Sequence, residues 1–375
     1  MRILHIVENL DKGAVETWLV NVFIESTKTR PHWEWTFYCI LGKKGRLDEK
    51  VIAAGGKIIY SPVTLSSKIS FLKSLRRVLK VGQYDIIHAH HDYLSGFYLI
   101  STVGIKFPKR LLQIHNTDKA LPVRNKLLHN FLLNPFRRLG LLFSDQVVGI
   151  SEITLAEFAK STKMPNKRFV LLYYGLNFDQ FDIKPDREFF IKQFSLPQKA
   201  RILLFAGRLN DLKNPEFVVE ILKHLLKKRN DVYALFIGQG EKESSIRRKA
   251  ELYNIQDHVR IAGWHNNVPE VMKNADVFVF PRKEHPKEGL GLVILEAQAA
   301  GLPMFLTNGI VQDAIVINKL AYFHDLCNPS LWADQIDKVL STNVAVSMEQ
   351  ALDMMKNSHF ELVAATKNMV NLYES

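Results

Sequence analysis

Residues 276–303 read DVFVFPRKEHPKEGLGLVILEAQAAGLP and contain one complete strand–loop–helix unit. The apolar run DVFVFP predicts a buried strand, RKEHPKEGLG predicts a loop, and LVILEAQAA predicts a helix that ends at Gly301. Gly289 and Gly291 allow the backbone to approach a ligand closely, and the first free amides of the helix attract phosphate. The stretch therefore predicts an α/β unit with a phosphate-binding loop at the end of its strand.

Two glutamates of this stretch lie in different surroundings. Glu288 is in the loop, whereas Glu296 lies more than a turn inside the helix, among Val293, Ile294 and Leu295. A buried carboxylate is costly unless hydroxyl or amide donors satisfy it, and a ribose diol offers two such donors. The alternative is a structural helix with one half-exposed glutamate. From these residues alone both interpretations stay open.

A second loop carries two cations beside a predicted helix start. Residues 203–217 read LLFAGRLNDLKNPEF, in which Asn214 is expected to cap the helix and Pro215 to be its first residue. Arg208 and Lys213 would then lie at the helix N-terminus, where the helix dipole repels positive charge. A bound dianion between them would explain this placement. The alternative is two solvated surface cations.

A third loop, FIGQGE at residues 236–241, places Gly238 and Gly240 after another predicted strand. This G-x-G pattern is a weak indication by itself, because such turns are common between a strand and a helix.

Apolar runs and amphipathic segments alternate along the whole chain in two sets. RILHIV, DIIHAH, RLLQIH and QVVGI predict the buried parallel strands of the first set, and RILLFAG, VYALFIG, VRIAG, DVFVFP and PMFLT those of the second. Strand signals lapse in NFDQFDIKPDREF, residues 177–189. The pattern predicts two Rossmann-like domains, with ligands bound at the carboxyl ends of their strands.

The net charge of +12 is concentrated in the first half of the chain. Residues 1–183 contain 26 Lys and Arg against 15 Asp and Glu, whereas the remainder is nearly balanced at 24 against 23. This asymmetry suggests an anionic partner such as a membrane surface, a phosphorylated acceptor or a nucleic acid. Aromatic residues do not interleave with the basic clusters, which disfavours nucleic acid. Cys39 and Cys327 are far apart in sequence and fit reduced core residues of a cytoplasmic protein.

Taken together, these residues resemble the retaining glycosyltransferases of family 4, which have the GT-B fold. The resemblance spans nearly the whole chain. It rests on Glu288 with Glu296, on the GR…KN loop at residues 207–214, and on FIGQGE. In addition, DIIHAHH (85–91) and IHNT (114–117) resemble the exopolysaccharide and capsule branch of the family.

The resemblance implies two Rossmann-like domains that face each other across a cleft. The N-terminal, acceptor-binding domain would span residues 1–182, and the C-terminal, nucleotide-sugar-binding domain residues 183–357. A final helix within residues 358–375 would cross back to the first domain.

The same resemblance implies roles for individual residues. Glu296 would bind the ribose, Glu288 would contact the donor sugar, and Arg208 and Lys213 would hold the diphosphate. His115 matches the histidine near the reacting sugar, although without the family a strand-end histidine bonded to the backbone is the simpler interpretation. The remaining expected donor contacts are Gly207, Gly238, Gly240, Gly289, Leu290, Gly291 and Leu292, and Gly13 and Ala14 would form an acceptor or diphosphate loop.

The implied reaction is a retaining transfer of a hexose-type sugar from a nucleotide-diphosphate sugar, UDP- or GDP-linked. The acceptor would be a hydroxyl of a lipid-linked saccharide in capsule or exopolysaccharide synthesis. No Asp or Glu lies at a spacing from His88, His90 and His91 that is typical of a metal site, and the sequence has no D-x-D motif. We therefore expect a metal-independent enzyme without a cofactor. The alternatives are a nucleotide-sugar epimerase or hydrolase of the same fold and, less favoured, a basic nucleic-acid-binding protein.

Two departures from the family pattern concern the acceptor side. DKGAVE, residues 11–16, has Ala14 where the family usually has a second glycine, and YYGLNFDQF, residues 173–181, differs at Tyr174 and Asn177. The basic first half also suggests that this cytoplasmic protein associates peripherally with the inner face of the cell membrane.

Overall fold

The computed structural model describes residues 1–11, 13–106, 109–117, 126–159, 168–342 and 345–375. They form two compact units. Unit 1 comprises Met1–Leu176 with His359–Ser375, and unit 2 comprises Asn177–Ser358. The sequence-based expectation was a change of domain after residue 182 and a return at residue 358.

Unit 1 is built on a sheet of parallel strands. These are β1 (Arg2–Val7), β2 (Glu34–Cys39), β3 (Lys57–Tyr60), β4 (Ile86–Ala89), β5 (Lys109–Ile114), β6 (Gln146–Gly149) and β7 (Phe169–Leu171). Their order is β3-β2-β1-β4-β5-β6-β7. The helices are α1 (Ala14–Thr27), α2 (Asp48–Ala53), α3 (Lys68–Gly82), α4 (Ser95–Leu99), α5 (Lys126–Phe143) and α6 (Glu152–Ala159). All four residues of β4 are buried, as expected for a parallel strand covered on both faces.

Unit 2 repeats this architecture. Its strands are β8 (Arg201–Ala206), β9 (Val232–Ile237), β10 (Val259–Gly263), β11 (Val277–Phe280), β12 (Met304–Leu306) and β13 (Ala321–Phe323), in the order β10-β9-β8-β11-β12-β13. The helices are α7 (Arg187–Gln193), α8 (Glu216–Leu225), α9 (Glu243–Leu252), α10 (Val268–Lys273), α11 (Leu292–Ala299), α12 (Pro329–Ser341) and α13 (Met348–Lys356). Two parallel sheets with helical crossovers confirm the predicted fold class of two Rossmann-like domains.

The last helix, α14 (Leu362–Glu374), belongs to unit 1 although the chain reaches it from unit 2. Its Tyr373 hydroxyl forms a 2.8 Å hydrogen bond with Nδ1 of His88, and the Tyr373 ring packs on Trp35. At the surface, Glu374 accepts a 2.6 Å hydrogen bond from Nε of Arg30. The predicted crossing of the final helix back to the first domain is therefore confirmed.

The two cysteines, both predicted to lie in the core, differ in burial. Cys39 is buried as predicted, but Cys327 is exposed, because it lies in the short segment between β13 and α12 and not in a strand. In the described part of the chain, no helix has both the length and the apolar character needed to cross a membrane.

Candidate functional site

Three loops of unit 2 begin where neighbouring strands end. In the sheet, β8 pairs with β9 on one side and β11 on the other, and both pairings are parallel. Residues 207–214 follow β8, residues 238–242 follow β9, and residues 281–291 follow β11. Because the carboxyl ends of parallel strands meet at one edge of a sheet, the structure brings the three predicted loops together.

The carboxylate of Glu288 is the centre of an ionic cluster in these loops. Its Oε2 accepts a 2.6 Å hydrogen bond from Nε of Arg282 and another from Nζ of Lys213. The side chain of Arg282 is 2% exposed, that of Lys213 18% and that of Glu288 20%. The backbone amide of Glu288 also donates to the carbonyl of Gly309 at 2.9 Å. The carboxylate is therefore held in one position.

Arg282 is the member of this cluster that the sequence analysis missed. Its Nη1 donates to the carbonyl of Lys283 at 2.7 Å, and its own carbonyl accepts a 2.5 Å hydrogen bond from the Thr307 hydroxyl. The only signal in the sequence was an arginine two residues after a buried strand, in a loop that already held Glu288. Such an arginine is usually solvated, so the signal was weak.

The ionisation of the cluster follows from its charges. Burial alone would raise the pKa of Glu288, but Lys213 and Arg282 outweigh burial and hold that pKa below its usual range. Burial lowers the pKa of Lys213, and Glu288 opposes this effect while Arg282 and Arg208 add to it. With a single carboxylate among three cations, the loops keep an excess of positive charge, which suits an anionic ligand.

Among Arg208, Lys213 and Arg282, Arg208 is the cation without an ion-pair partner in the described part of the chain. Its side chain is exposed, and no residue in the described ranges forms an ion pair with it. From the sequence we expected a dianion between Arg208 and Lys213. The structure instead pairs Lys213 with Glu288, so the unneutralised charge remains at Arg208.

Asn214 was predicted to cap α8, but it does not. Its backbone adopts a left-handed conformation with φ of 53°, and the helix begins at Glu216. The Asn214 side chain donates instead to the carbonyl of Pro281 at 3.2 Å. This bond ties the loop after β8 to the loop after β11. The residue thus holds the two cation-bearing loops together.

The glycines of the first two loops permit close backbone contact between them. At Gly238 (φ of 127°) a Cβ would lie 1.9 Å from the carbonyl oxygen of Gly207, and at Gly240 a Cβ would lie 2.2 Å from that of Leu209. The amide of Leu209 donates to the carbonyl of Gln239 at 2.9 Å. Close packing against the loop that carries Arg208 is therefore sufficient to explain why positions 238 and 240 are glycine.

The start of α11 has the form expected of an anion site. Gly291 caps the helix with φ of 85°, a left-handed conformation that favours glycine. The helix then begins at Leu292, and the amides of Leu292 and Val293 have no acceptor within the helix, whereas the amide of Ile294 donates to the carbonyl of Gly291 at 2.9 Å. Gly289 and the buried Leu290 form the turn between Glu288 and this helix end.

Two polar residues of α11 differ in how the protein satisfies them. Gln298 is buried and makes four hydrogen bonds, donating to the carbonyls of Ile294 and Ala314 and accepting from the amides of Val316 and Ile317. Glu296 is half-buried, and burial raises its pKa to about 7. No residue in the described ranges bonds to its carboxylate. Gln298 is therefore explained by packing, whereas Glu296 is not.

In unit 1, the predicted loop at Gly13 and Ala14 precedes α1. Gly13 lies against the side chain of Glu16, since a Cβ on Gly13 would be 2.1 Å from Oε2 of Glu16. Ala14 is exposed as the first residue of α1, and Lys12 lies outside the described residues. Ala14 therefore lies on the surface of unit 1, whereas burial raises the pKa of the Glu16 carboxylate that lies against Gly13.

His115 follows β5 in unit 1 and is buried. Its amide donates to Oδ1 of Asp92 at 2.6 Å, and Nδ1 of its ring forms a hydrogen bond with the hydroxyl of Tyr174. Burial lowers the pKa of His115 to about 4. The simpler sequence interpretation, a histidine ring bonded to backbone, is wrong, because the partner of the ring is a tyrosine side chain.

Three other histidines of unit 1 form a buried cluster, of which the sequence analysis had named His88 and His90 but not His5. His5 on β1 and His88 on β4 are partners in the sheet register, and His90 follows β4. Nδ1 of His5 and Nε2 of His90 are 2.9 Å apart, and the possible ligand atoms of the three residues lie within 4.8 Å of one another. His91, in contrast, bonds to Tyr98. The cluster contains no carboxylate, so we interpret it as a packed stack of neutral histidines.

Comparison with known proteins adds family models for both halves of the chain. Residues 33–180 match the model described as Glycosyltransferase Family 4, and residues 186–359 match the model described as Glycosyl transferases group 1. Together the two models cover most of the chain, and each falls within one set of predicted strands and helices.

Among curated proteins, the chain is 26% identical over 341 residues to the putative glycosyltransferase EpsF of Bacillus subtilis, covering 89% of this chain and 86% of EpsF. It is 25% identical over 335 residues to the Escherichia coli UDP-Gal:alpha-D-GlcNAc-diphosphoundecaprenol alpha-1,3-galactosyltransferase, covering 84% of this chain and 80% of that enzyme. Among solved structures, Anabaena HepE in complex with UDP-glucose superposes with a TM-score of 0.82 at 14% identity, covering 100% of this chain and 99% of HepE.

Proposed function

The chain belongs to the family 4 glycosyltransferases of GT-B fold, and from this premise we propose that it transfers a hexose from a UDP-sugar to a hydroxyl of a lipid-linked saccharide. Relatives of the chain support the proposed substrates. The Escherichia coli relative is named for a UDP-sugar donor and a diphosphoundecaprenol-linked acceptor, and HepE binds UDP-glucose. The product would belong to a surface polysaccharide.

The observation that carries the proposal is the group of charges at the three loop ends of unit 2. Arg208 has no ion-pair partner among the described residues, the amides of Leu292 and Val293 at the start of α11 have no acceptor within the helix, and Glu288 is held by Arg282 and Lys213. A nucleotide-diphosphate sugar has a complementary set of groups. Its diphosphate suits Arg208 and the amides, its ribose suits Glu296, and its sugar hydroxyls suit Glu288.

The difficult step is the cleavage of the bond between the anomeric carbon and the diphosphate. Negative charge grows on the leaving phosphate, so Arg208, Lys213 and the α11 amides stabilise the transition state more than the bound donor. Losing one such donor typically costs about 3 kcal/mol, or roughly a hundredfold in rate. Attack on the same face of the sugar, with the leaving phosphate taking the acceptor's proton, would retain the anomeric configuration.

The proposal includes neither a metal nor a cofactor, because Arg208, Lys213 and helix amides can supply the electrostatic stabilisation that a cation would provide. Turnover should therefore persist in EDTA. A tenfold or larger loss in EDTA that is restored by Mg²⁺ or Mn²⁺ would contradict this part of the proposal.

A basic surface on α3 supports peripheral association with a membrane. The helix buries Phe71 and Leu75 and has no acidic residue. Three of its exposed cations, together with Lys106 nearby, form what we call the α3 patch: Lys73, Arg77, Lys80 and Lys106. Lys80 and Lys106 line one surface cavity. Each exposed Lys or Arg contributes about 1 kcal/mol near anionic lipid.

Basic residues are also frequent within residues 106–138, but some of them are paired or buried. Arg110 pairs with Asp145 at 2.8 Å, and Arg137 is buried with its Nη2 donating to the hydroxyl of Tyr93 at 2.8 Å. Lys119 and Arg124 lie outside the described residues. The membrane proposal therefore rests on the α3 patch.

The proposed activity is tested by incubating the purified chain with a panel of UDP- and GDP-sugars, alone and with a lipid-pyrophosphate-linked saccharide. We expect one UDP-sugar to be consumed with sugar appearing on the lipid, in the anomeric configuration of the donor. Consumption of the nucleotide sugar that is independent of the lipid acceptor would instead indicate an epimerase or hydrolase.

A further inference from the structure

The ring of His115 is held by a tyrosine that departs from the family pattern. Tyr174 follows β7, and its hydroxyl bonds to Nδ1 of His115. Both side chains are buried, their rings stack at 5.8 Å, and Trp18 covers Tyr174 with ring centroids 4.7 Å apart. Neither ring can turn without displacing a neighbour.

The backbone of His115 is held separately, by Asp92. Oδ1 of Asp92 accepts from the amide of His115 at 2.6 Å and from the amide of Asn116 at 3.2 Å, and Oδ2 accepts from Nδ2 of Asn116 at 2.9 Å. Asp92 has φ of 43°, a left-handed conformation that a non-glycine residue adopts only when its surroundings require it. Asp92 therefore fixes the position of His115, and Tyr174 is left to fix the ring.

The chemistry of the pair decides where the protons lie. Burial lowers the pKa of His115 to about 4 and raises that of Tyr174 well above 10, so both are neutral near pH 7. A phenol is a more acidic donor than a neutral imidazole, and an imidazole nitrogen is a more basic acceptor than a phenol oxygen. The Tyr174 hydroxyl therefore donates to Nδ1, and the imidazole proton is on Nε2.

Nε2 of His115 is the atom through which the ring can act. It is buried and has no hydrogen-bond partner among the described residues. The ionisable groups around the ring are Asp92, His88, His90 and His91, with Glu16 acting on Tyr174. None of them bonds to Nε2. An unsatisfied N–H at a buried position is costly unless a ligand oxygen accepts from it.

We propose that Tyr174 is a positioning residue that fixes His115 as a neutral N–H donor at Nε2, available to an oxygen of a bound sugar. The sugar in this statement rests on the proposed function, whereas the assignment of the proton does not. With Nε2 protonated, His115 cannot take the proton of the acceptor hydroxyl.

The proton position can be measured without substrate. Long-range ¹H–¹⁵N spectra of histidine-labelled protein at pH 7 report the tautomer of each ring, and comparison with His115→Gln assigns the His115 signals. We expect the Nε2–H tautomer in the wild type and both tautomers in Tyr174→Phe. The Nδ1–H tautomer in the wild type, or an unchanged His115 tautomer in Tyr174→Phe, would overturn the inference.

A matched control removes the same group from a neighbouring histidine. The hydroxyl of Tyr98 is 2.8 Å from Nδ1 of His91, and Tyr98 is buried in unit 1. Tyr98→Phe should change the tautomer signals of His91 and leave those of His115 as they are. A change at His115 in this control would show that loss of any buried hydroxyl perturbs the unit, and would overturn the specific role of Tyr174.

The effect on turnover is a separate readout. Loss of one positioning hydrogen bond should lower kcat/KM of Tyr174→Phe by about tenfold. If the wild type transfers no sugar, the proposed function fails while the tautomer measurement still decides this inference. If transfer occurs and Tyr174→Phe matches the wild type, the positioning role is refuted.

Discussion

Glu296 shows at the scale of one residue how a structural polar group can be distinguished from a functional one. The same helix carries Gln298, which is buried more deeply and is fully hydrogen-bonded. The side-chain amide of Gln298 makes four hydrogen bonds, whereas the carboxylate of Glu296, two residues before it, makes none with the described residues. Burial raises the pKa of this carboxylate to about 7, and it has no hydrogen-bond partner among the described residues, so we propose that a bound ligand supplies the partner.

We therefore expect Glu296→Gln to weaken binding of UDP by about 1–3 kcal/mol, because a charge-assisted hydrogen bond to the ribose is lost. Isothermal calorimetry measures this directly. Glu251→Gln, the same change at an exposed glutamate of α9, is the control and should leave the affinity unchanged. Equal UDP affinity in Glu296→Gln and the wild type would mean that Glu296 is structural.

The raised pKa of Glu296 also predicts the pH dependence of binding. The ionised carboxylate is the better acceptor for a ribose diol, and with a pKa of about 7 it is mostly protonated at pH 6 and mostly ionised at pH 8. Affinity for UDP should thus rise by up to about tenfold from pH 6 to pH 8. The titration of the UDP phosphate affects binding to the wild type and to Glu296→Gln equally, so the difference between the two proteins reports Glu296. A wild type no more pH-dependent than Glu296→Gln would contradict the assignment.

Glu288 combines a predicted role in transfer with a structural role that the sequence did not reveal. Glu288→Ala should abolish transfer, and it should also lower the free energy of unfolding by about 3 kcal/mol, because Arg282 would remain buried without its carboxylate. Glu288→Gln keeps an acceptor oxygen and should lose transfer with a smaller loss of stability. Turnover and urea denaturation separate the two effects. Near-wild-type turnover by either variant at saturating donor would refute the role in transfer.

At the scale of secondary-structure elements, the sequence predicted best where the pattern is local. The strand–loop–helix unit from β11 to α11 follows from its apolar runs and glycines, and the buried face of α3 follows from its spacing. Strand β13 has only three half-buried residues, too few to show a pattern, and was not predicted. His5 was missed because its partner His90 is distant in sequence. Arg282 was missed because an arginine that follows a strand is usually solvated, although its partner Glu288 is only six residues away.

The α3 patch provides the prediction at this scale. Sedimentation with liposomes should show binding that rises with the fraction of anionic lipid and falls with salt. Lys73→Glu with Arg77→Glu should reduce that binding at least tenfold, since about 1 kcal/mol is lost at each position and repulsion is added.

Lys227→Glu with Arg248→Glu is the matched control for this test, because it makes the same charge change at exposed positions of unit 2. It should reduce binding far less. Equal recovery with neutral and anionic liposomes at low salt would rule out the membrane association and favour a soluble acceptor.

At the scale of the whole molecule, the histidines of unit 1 make folding stability depend on pH. Burial lowers the pKa of His5, His88, His90 and His115 below 6.5 in the folded chain, so the unfolded chain binds more protons below pH 6.5. The contribution of these neutral histidines to folding stability is thus fully present above pH 6.5, and it is lost as the pH falls toward their pKa values in the folded chain. By pH 5.5 the loss should reach about 1 kcal/mol for each histidine.

Denaturant titrations at pH 7.5 and pH 5.5 measure this loss. His5→Phe keeps an aromatic ring against Trp35, whose centroid lies 4.6 Å from that of His5, and removes one titrating group. It should therefore reduce the pH dependence. A free energy of unfolding that is the same at both pH values would show that these histidines take up protons equally in the folded and the unfolded chain, and would contradict their lowered pKa values.

The central claim is that unit 2 holds a nucleotide sugar at the loops bearing Arg208, Lys213 and Glu288 and delivers its sugar to an acceptor. The most direct test is the rate of UDP release by the purified full chain at saturating UDP-sugar, with and without lipid-linked saccharide, for the wild type and Arg208→Ala. We predict release that requires the acceptor, matches the sugar transferred mole for mole, and falls roughly a hundredfold in Arg208→Ala. Acceptor-dependent release at the wild-type rate by Arg208→Ala would contradict the account.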